Sequence, residues 1–123
     1  MDCPFCDPKD PFFKTNRIFA IWDAYPVSPG HALIIPWRHI PTWDEATASE
    51  QRALTSHIEL VQLVISGKHK PDGFNVGFNS GTAAGMTIPH LHIHIIPRYI
   101  GDVENPRGGI RHVMPGKGDY LKD

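Results

Sequence analysis

The sequence is short of cysteine, of net charge and of long apolar runs, and each shortage excludes something. Two cysteines in 123 residues exclude a disulfide-built scaffold. In a reducing compartment the pair Cys3-Pro-Phe-Cys6 reads as metal ligands, a redox pair or two free thiols rather than as a staple. With 12 basic against 13 acidic residues the formal net charge is -1, so no overall field steers the chain toward nucleic acid or an anionic membrane. A phosphate ligand must be caught locally. No stretch is long enough to cross a bilayer, and the opening Met1-Asp2-Cys3-Pro4 lacks the basic region and apolar run of a secretory signal. The expected address is the cytoplasm. With 41% hydrophobic residues the length suits one domain over 1–123 and leaves too little for a second core.

Histidine is where the sequence is rich. Three of its 8 histidines fall in Pro89-His90-Leu91-His92-Ile93-His94-Ile95-Ile96-Pro97-Arg98, at alternate positions between large aliphatic residues. Period-2 alternation predicts a β-strand with two unlike faces, the imidazoles on one and Leu91, Ile93 and Ile95 on the other. Two residues of strand advance roughly 6.6 Å, so the outer imidazoles are expected about 13 Å apart, too far for one small metal site to take all three. The pattern points to a division of labour: one imidazole as nucleophile, its neighbours holding charge, protons or metal.

The remaining elements follow from local signals. Residues 1–16 read as an irregular arm around Cys3 and Cys6. Arg17–Trp22 is a β-branched and aromatic strand. A Pro/Gly connection leads to a second strand, His31–Ile35, expected to pair antiparallel with the first. Thr42-Trp-Asp-Glu45 and Thr47-Ala-Ser-Glu50 both match the capping box. Beyond them Leu54, Ile58, Val61 and Ile65 share one helical face, giving a main helix that is expected to stop near Ser66-Gly67. His57 and His69 are expected to be solvated. Gly73–Asn79 alternates again and reads as a strand. The small-residue loop from Ser80 to Thr87 could bring N–H groups to an anion. Residues 100–123 read as an ordered or half-ordered tail over the site.

The run His90-Leu-His92-Ile-His94-Ile-Ile96 resembles the motif of the histidine triad family of nucleotide hydrolases and transferases. Supporting segments stand in the family's order: Asp23, Ser28-Pro-Gly-His31, Pro36-Trp-Arg-His39, Asn79-Ser-Gly81 and Gly85-Met-Thr87. The likeness runs from about residue 17 to 99, and the Cys3/Cys6 arm and the tail from Asp102 to Arg111 are similar to those of bacterial members. The resemblance implies an α+β fold, with an antiparallel sheet of about five strands, one long and one short helix, and a homodimer built across the main helix and a strand.

The resemblance also implies roles. His92 would attack the α-phosphorus of a nucleotide, His94 would donate to a phosphate oxygen or the leaving group, and His31 would help with charge or protons. Asp23 would accept the ribose hydroxyls, Asn79, Gly85 and Thr87 would contact phosphate, and the apolar set Ile18, Phe19, Ile21, Trp22 and Leu33 would form the base slot. Cys3, Cys6, His39 and His90 would hold a structural zinc, with no metal required for the chemistry. Met86 departs from the family, standing where many members carry glutamine; a thioether donates no hydrogen bond. The third histidine, often replaced in the transferase branch, is present as His94 and favours hydrolysis. The substrate expected is a dinucleoside polyphosphate or an AMP-amide; the alternatives are nucleotidyl transfer or nucleotide binding with little turnover.

Overall fold

A computed structural model describes residues 3–121; the outermost residues of the arm and of the tail, 1–2 and 122–123, lie outside the described residues. Five strands, β1 (Phe13–Lys14), β2 (Ile18–Trp22), β3 (Ala32–Pro36), β4 (Gly73–Gly77) and β5 (Ile93–Arg98), form one antiparallel sheet in the order β1-β2-β3-β5-β4. Helices α1 (Ala48–Ser56) and α2 (Ile58–His69) cover one face, α1 against β2 and β3, α2 against β3 and β5. The expected α+β architecture is thus present, with β2 and β3 antiparallel through the pairing Ala20↔Ile34.

Alternation along the strands sorts the side chains. Ile18, Ala20, Ala32, Ile34, Ile93 and Ile95 face the helices and join Leu54, Val61 and Ile65 in the main core. Phe19, Leu33 and Ile35 point to the other face and meet Phe5 from the arm. Register across the sheet sets Leu33 opposite His94, so the last triad histidine also lies on the face away from the helices. That face carries the site.

Four local departures from expectation have physical causes. The strand β1 has two residues, too few for a periodic signal. The helical stretch after Thr47 divides at His57 (φ -100°, ψ 1°), because the His57 ring Nδ1 bonds the Ala53 carbonyl at 2.6 Å, the acceptor that its own N–H would otherwise take, and that N–H turns to Thr55 instead. The ring also lies 5.3 Å from Phe13 and is half-buried. Gly67 sits exposed within α2, and the helix instead stops at Lys70, in the left-handed region at φ 54°. The first capping-box match yields a single 3₁₀ turn, Trp43–Glu45, with no side-chain cap bond.

The second match is a full capping box: Thr47 Oγ1 accepts from Glu50 N–H at 3.1 Å, and Thr47 N–H donates to Glu50 Oε1 at 2.8 Å. The same carboxylate receives a two-pronged contact from Arg38, Nε to Oε2 at 3.0 Å and a terminal nitrogen to Oε1 at 2.8 Å. Arg38 tethers the loop carrying His39 to the start of α1. The Arg38 hydrogen bonds hold Glu50 down to about 2, against an ordinary 4.5. A carboxylate depressed in this way stabilises the fold fully above pH 4.5 and loses that contribution as the pH falls through about 2. Glu50→Gln is therefore expected to lower stability by about 1–2 kcal/mol at pH 7. In urea titrations the gap to the unsubstituted protein should close as the pH approaches 2; a gap independent of pH would refute the assignment.

Candidate active site

The Asp23–His31 turn, the loop before β5 and the arm enclose a cleft of ≈ 630 Å³ on the helix-free face. Its walls include Asp23, His31, Asn79, Gly85, Thr87, His92 and His94, as the sequence predicts, and Trp22 from the base-slot set. Ile18 is a correction: it is fully buried on the opposite face, among the helices. A strand sends neighbours to opposite sides, so Ile21 and Leu33 supply the apolar wall. Sequence reasoning missed Phe5, Lys9 and Asp10 of the arm, Tyr25 and Val27 of the β2–β3 turn, and Ile88. The one available signal for the arm was the aromatic residue held inside the Cys-x-x-Cys turn.

The triad itself departs from three imidazoles on one strand face. Regular pairing starts only at Ile93. Ahead of it, His90 N–H bonds the Ile88 carbonyl at 2.8 Å and Leu91 N–H bonds the Ile40 carbonyl at 2.6 Å, so the chain bends at Ile88–His90 and has no ladder until Ile93. His90 is fully buried and its ring turns away from the cleft, whereas His92 and His94 stay side by side, ring centroids 5.0 Å apart.

Hydrogen bonds fix how each ring presents its nitrogens. His92 Nδ1 lies 2.8 Å from the His90 carbonyl; a carbonyl only accepts, so Nδ1 carries the proton and the Nε2 lone pair is left free. Val27 N–H donates to His31 Nδ1 at 3.2 Å, which puts the His31 proton on Nε2. That N–H points to His94 Nδ1 at 2.9 Å and to Asp23 Oδ2 at 3.4 Å. His94 therefore accepts at Nδ1 and carries its proton on Nε2. Burial lowers His94 to about 4, reinforced by His92 and His31, and burial likewise lowers His31 despite the opposing pull of Asp23.

Asp23 closes the turn after β2, its Oδ1 accepting from Tyr25 N–H at 2.8 Å. Its oxygens keep further lone pairs for a ligand. The loop before β5 holds a short 3₁₀ turn, Thr82–Ala84, between Gly81 (φ 88°) and Gly85 (φ 93°), conformations that glycine adopts without strain. The N–H groups of Ala84, Gly85 and Met86 all donate within the loop. Those three are not an anion nest; the loop lines the cleft with Gly85, Met86 and Thr87.

Two groups of side chains could hold a metal ion. Cys3, Cys6, His39 and His90 converge with all ligand atoms within 4.8 Å of one another. Three of the four sulfur-to-nitrogen separations are 3.1, 3.4 and 3.7 Å, and the two Nδ1 atoms lie 3.2 Å apart. The His90 Nε2–H donates to the Pro36 carbonyl at 2.8 Å, which leaves Nδ1 with its lone pair toward the thiols, as ligation requires. Asp23, His31 and His94 are equally close, but there the tautomer is wrong: ligation needs a bare His31 Nε2, and a proton on Nδ1 would face the Val27 N–H. The first group fits a metal and the second is a hydrogen-bonded series of neutral rings.

This arrangement predicts the nitrogen spectrum of the protein. Proton-detected ¹⁵N spectra at pH 7 should show His92 protonated at Nδ1 and His94 at Nε2, with His94 neutral until the pH nears 4. A histidine neutral when folded and basic near 6.5 when unfolded stabilises the fold above pH 6.5, a contribution lost as the pH falls toward 4. The opposite tautomer at His94 would break the relay.

The sequence model of the HIT domain matches residues 6–101. The AP-4-A phosphorylase of Mycobacterium tuberculosis strain H37Rv is 37% identical over 90 residues, 72% of this chain and 46% of that protein. The asymmetrical bis(5'-nucleosyl)-tetraphosphatase of Schizosaccharomyces pombe is 38% identical over 91 residues, 74% of this chain and 50% of that protein. The chain spans about half the length of these relatives. A Zn-bound histidine triad family protein from Mycobacterium smegmatis superposes with a TM-score of 0.75 at 25% identity, covering 84% of this chain and 79% of that one. Fold, triad and matched length together place the chain in the HIT domain family.

Proposed function

We propose that the chain hydrolyses dinucleoside polyphosphates at an α-phosphorus through a covalent nucleotidyl-histidine. The observation that carries this reading is the bond from His92 Nδ1–H to the His90 carbonyl, which leaves Nε2 as the free base at the wall of the cleft. In the first step the Nε2 lone pair forms the N–P bond and the bridging P–O bond breaks, its electrons leaving with the departing nucleotide. In the second, water attacks the same phosphorus, the P–N bond returns its electrons to Nε2, and the water's proton passes to solvent or product phosphate. Throughout, Nδ1–H stays on the His90 carbonyl, which favours the positive charge gathered on the ring in the intermediate.

The neighbours have matching tasks. The Nε2–H of His94 donates to a non-bridging oxygen, held by His31 and, through it, by Asp23. Thr87 and Asn79 contact phosphate, Asp23 the ribose hydroxyls, and Ile21, Leu33 and Trp22 the base. Because His94 is neutral to about 4, the relay holds no strong acid at pH 7. A departing nucleoside phosphate needs none, since its terminal group ionises near pH 6, whereas an amine must leave protonated. The neutral relay, with Met86 in place of a donor, supports an anhydride over a phosphoramidate substrate. The M. tuberculosis relative is named a phosphorylase, which makes phosphate the rival acceptor in the second step.

Diadenosine tetraphosphate should be turned over, and His92→Ala should reduce the rate by at least about 10³-fold while leaving the fold intact. Products analysed with and without inorganic phosphate separate the acceptors: AMP in both supports hydrolysis, ADP with phosphate supports the phosphorylase. Undiminished turnover in His92→Ala would defeat the proposal.

Cys3, Cys6, His39 and His90 would hold zinc. A tetrahedral zinc spaces its sulfur and nitrogen ligands by about 3.5 Å and two nitrogens by about 3.3 Å, close to the separations of this set. Four protein ligands close the shell, so the ion would supply cross-linking of the arm to the sheet and no chemistry. Purified protein should carry one zinc per chain, and His90→Ala should lose most of it together with thermal stability; a stoichiometry far below one in the unsubstituted protein would sink the site. The same reading pairs two copies across α2 and β4, where Leu63 is 67% exposed and β4 has no partner on its outer edge among the described residues.

A further inference from the structure

The arm reaches the cleft at one buried side chain. Cys6 N–H bonds the Cys3 carbonyl at 3.2 Å, closing a turn with Pro4 and Phe5 at its centre; proline suits the second position of such a turn. Both ends of the turn are metal-ligand candidates, so whatever fixes Cys3 and Cys6 also fixes Phe5. Phe5 is 7% exposed, packed with Phe19, Leu33 and Ile35. Its ring centroid lies 4.9 Å from that of His92, tilted by 58°, and it also lines the cleft.

The His92 ring needs such a support. One hydrogen bond, from Nδ1, anchors it, and a ring held at one atom can still pivot and swing Nε2 off line. His94 stands near its edge, centroids 5.0 Å apart at 64°. Phe5 is a second ring in contact with it. A half-buried imidazole packed against two rings keeps the direction of its lone pair, and in-line attack is sensitive to displacements of about 1 Å.

We infer that Phe5 is a positioning residue for the nucleophile, and that metal bound at Cys3 and Cys6 acts on the chemistry through it, because the metal-held turn presses the Phe5 ring against His92. The inference rests on the proposed role of His92. It makes the metal site more than a stabiliser of the arm: loss of the ion frees Phe5, and His92 loses its wall. It also accounts for an aromatic residue at this place in the turn, where the metal needs only the two sulfurs.

The test combines Phe5 substitution with metal removal and reads both turnover and the His92 ring. Phe5→Ala should lower kcat on diadenosine tetraphosphate about 10-fold with KM changed less than about twofold, and Phe5→Leu, which keeps most of the volume, should recover to within about threefold of the unsubstituted rate. Chelation should lower kcat of the unsubstituted protein by a factor like that of Phe5→Ala, and should add less than about twofold in Phe5→Ala itself. Independently of turnover, the His92 Cε1–H resonance at fixed pH should move on chelation in the unsubstituted protein, through loss of the aromatic neighbour, and stay in place on chelation of Phe5→Leu. If Phe5→Ala does not fold, Phe5→Leu and chelation carry the comparison. The inference is overturned if chelation costs the same factor with and without Phe5, or if the His92 resonance ignores both changes. Full turnover by His92→Ala would instead strike the proposed mechanism, and the resonance would still decide the role of Phe5.

Discussion

Residue His90 joins the two halves of the site, and the rest of the structure depends on how it is held. Its ring gives Nε2–H to the Pro36 carbonyl at 2.8 Å and turns Nδ1 to the sulfurs. Its own carbonyl accepts from His92 Nδ1 at 2.8 Å. One fully buried residue thus sets the ligand tautomer on one side and the nucleophile tautomer on the other. A buried imidazole with both nitrogens directed this way is costly to rearrange, since each lost partner leaves an unsatisfied polar atom. Pro36, the last residue of β3, makes the sheet itself the reference frame for both.

The Val27–His31–His94 series is ordered by the same logic, started from the backbone. Val27 N–H decides the state of His31, His31 decides His94, and His94 is left with a donor at Nε2. Nothing in this series requires a charged imidazole. In the proposed reaction a site so arranged would hold phosphate oxygens with neutral donors and would suit a leaving group that departs without help, which favours anhydrides over amides. It also explains why Asp23, His31 and His94, though close enough to surround a cation, are not arranged to bind one.

Much of this was legible in the sequence, and the failures follow from physics that periodicity does not carry. Alternation placed β2, β3 and β4 and separated Leu91, Ile93 and Ile95 from His92 and His94. It also put His90 on the same strand face, because the alternating residue types run on through the bend at Ile88–His90 that precedes the ladder; the pull of Pro36 and the arm is a tertiary effect. Ile18 was misassigned because the base slot was drawn from both faces of β2: Ile21 lines the cleft, whereas Ile18 packs among the helices. Gly67 reads as a stop, yet an exposed helical glycine costs only about 1 kcal/mol, less than the packing of Ile65 and its neighbours provides. The break at His57 depends on a ring nitrogen taking a backbone acceptor, and Phe5 on a turn fixed by ligands far away in sequence. The first leaves no local pattern, and the second only an aromatic residue inside the Cys-x-x-Cys turn.

Everything in the site converges on His92 Nε2 forming a bond to phosphorus, and stereochemistry tests that most directly. A dinucleoside polyphosphate made chiral at the attacked phosphorus with sulfur, opened by the protein in ¹⁸O-labelled water, yields a product whose configuration counts the displacements. Two in-line steps through a nucleotidyl-histidine invert twice, so the account predicts net retention. Net inversion would mean that water attacks phosphorus directly, and that His92, however well its tautomer is set, is not the nucleophile.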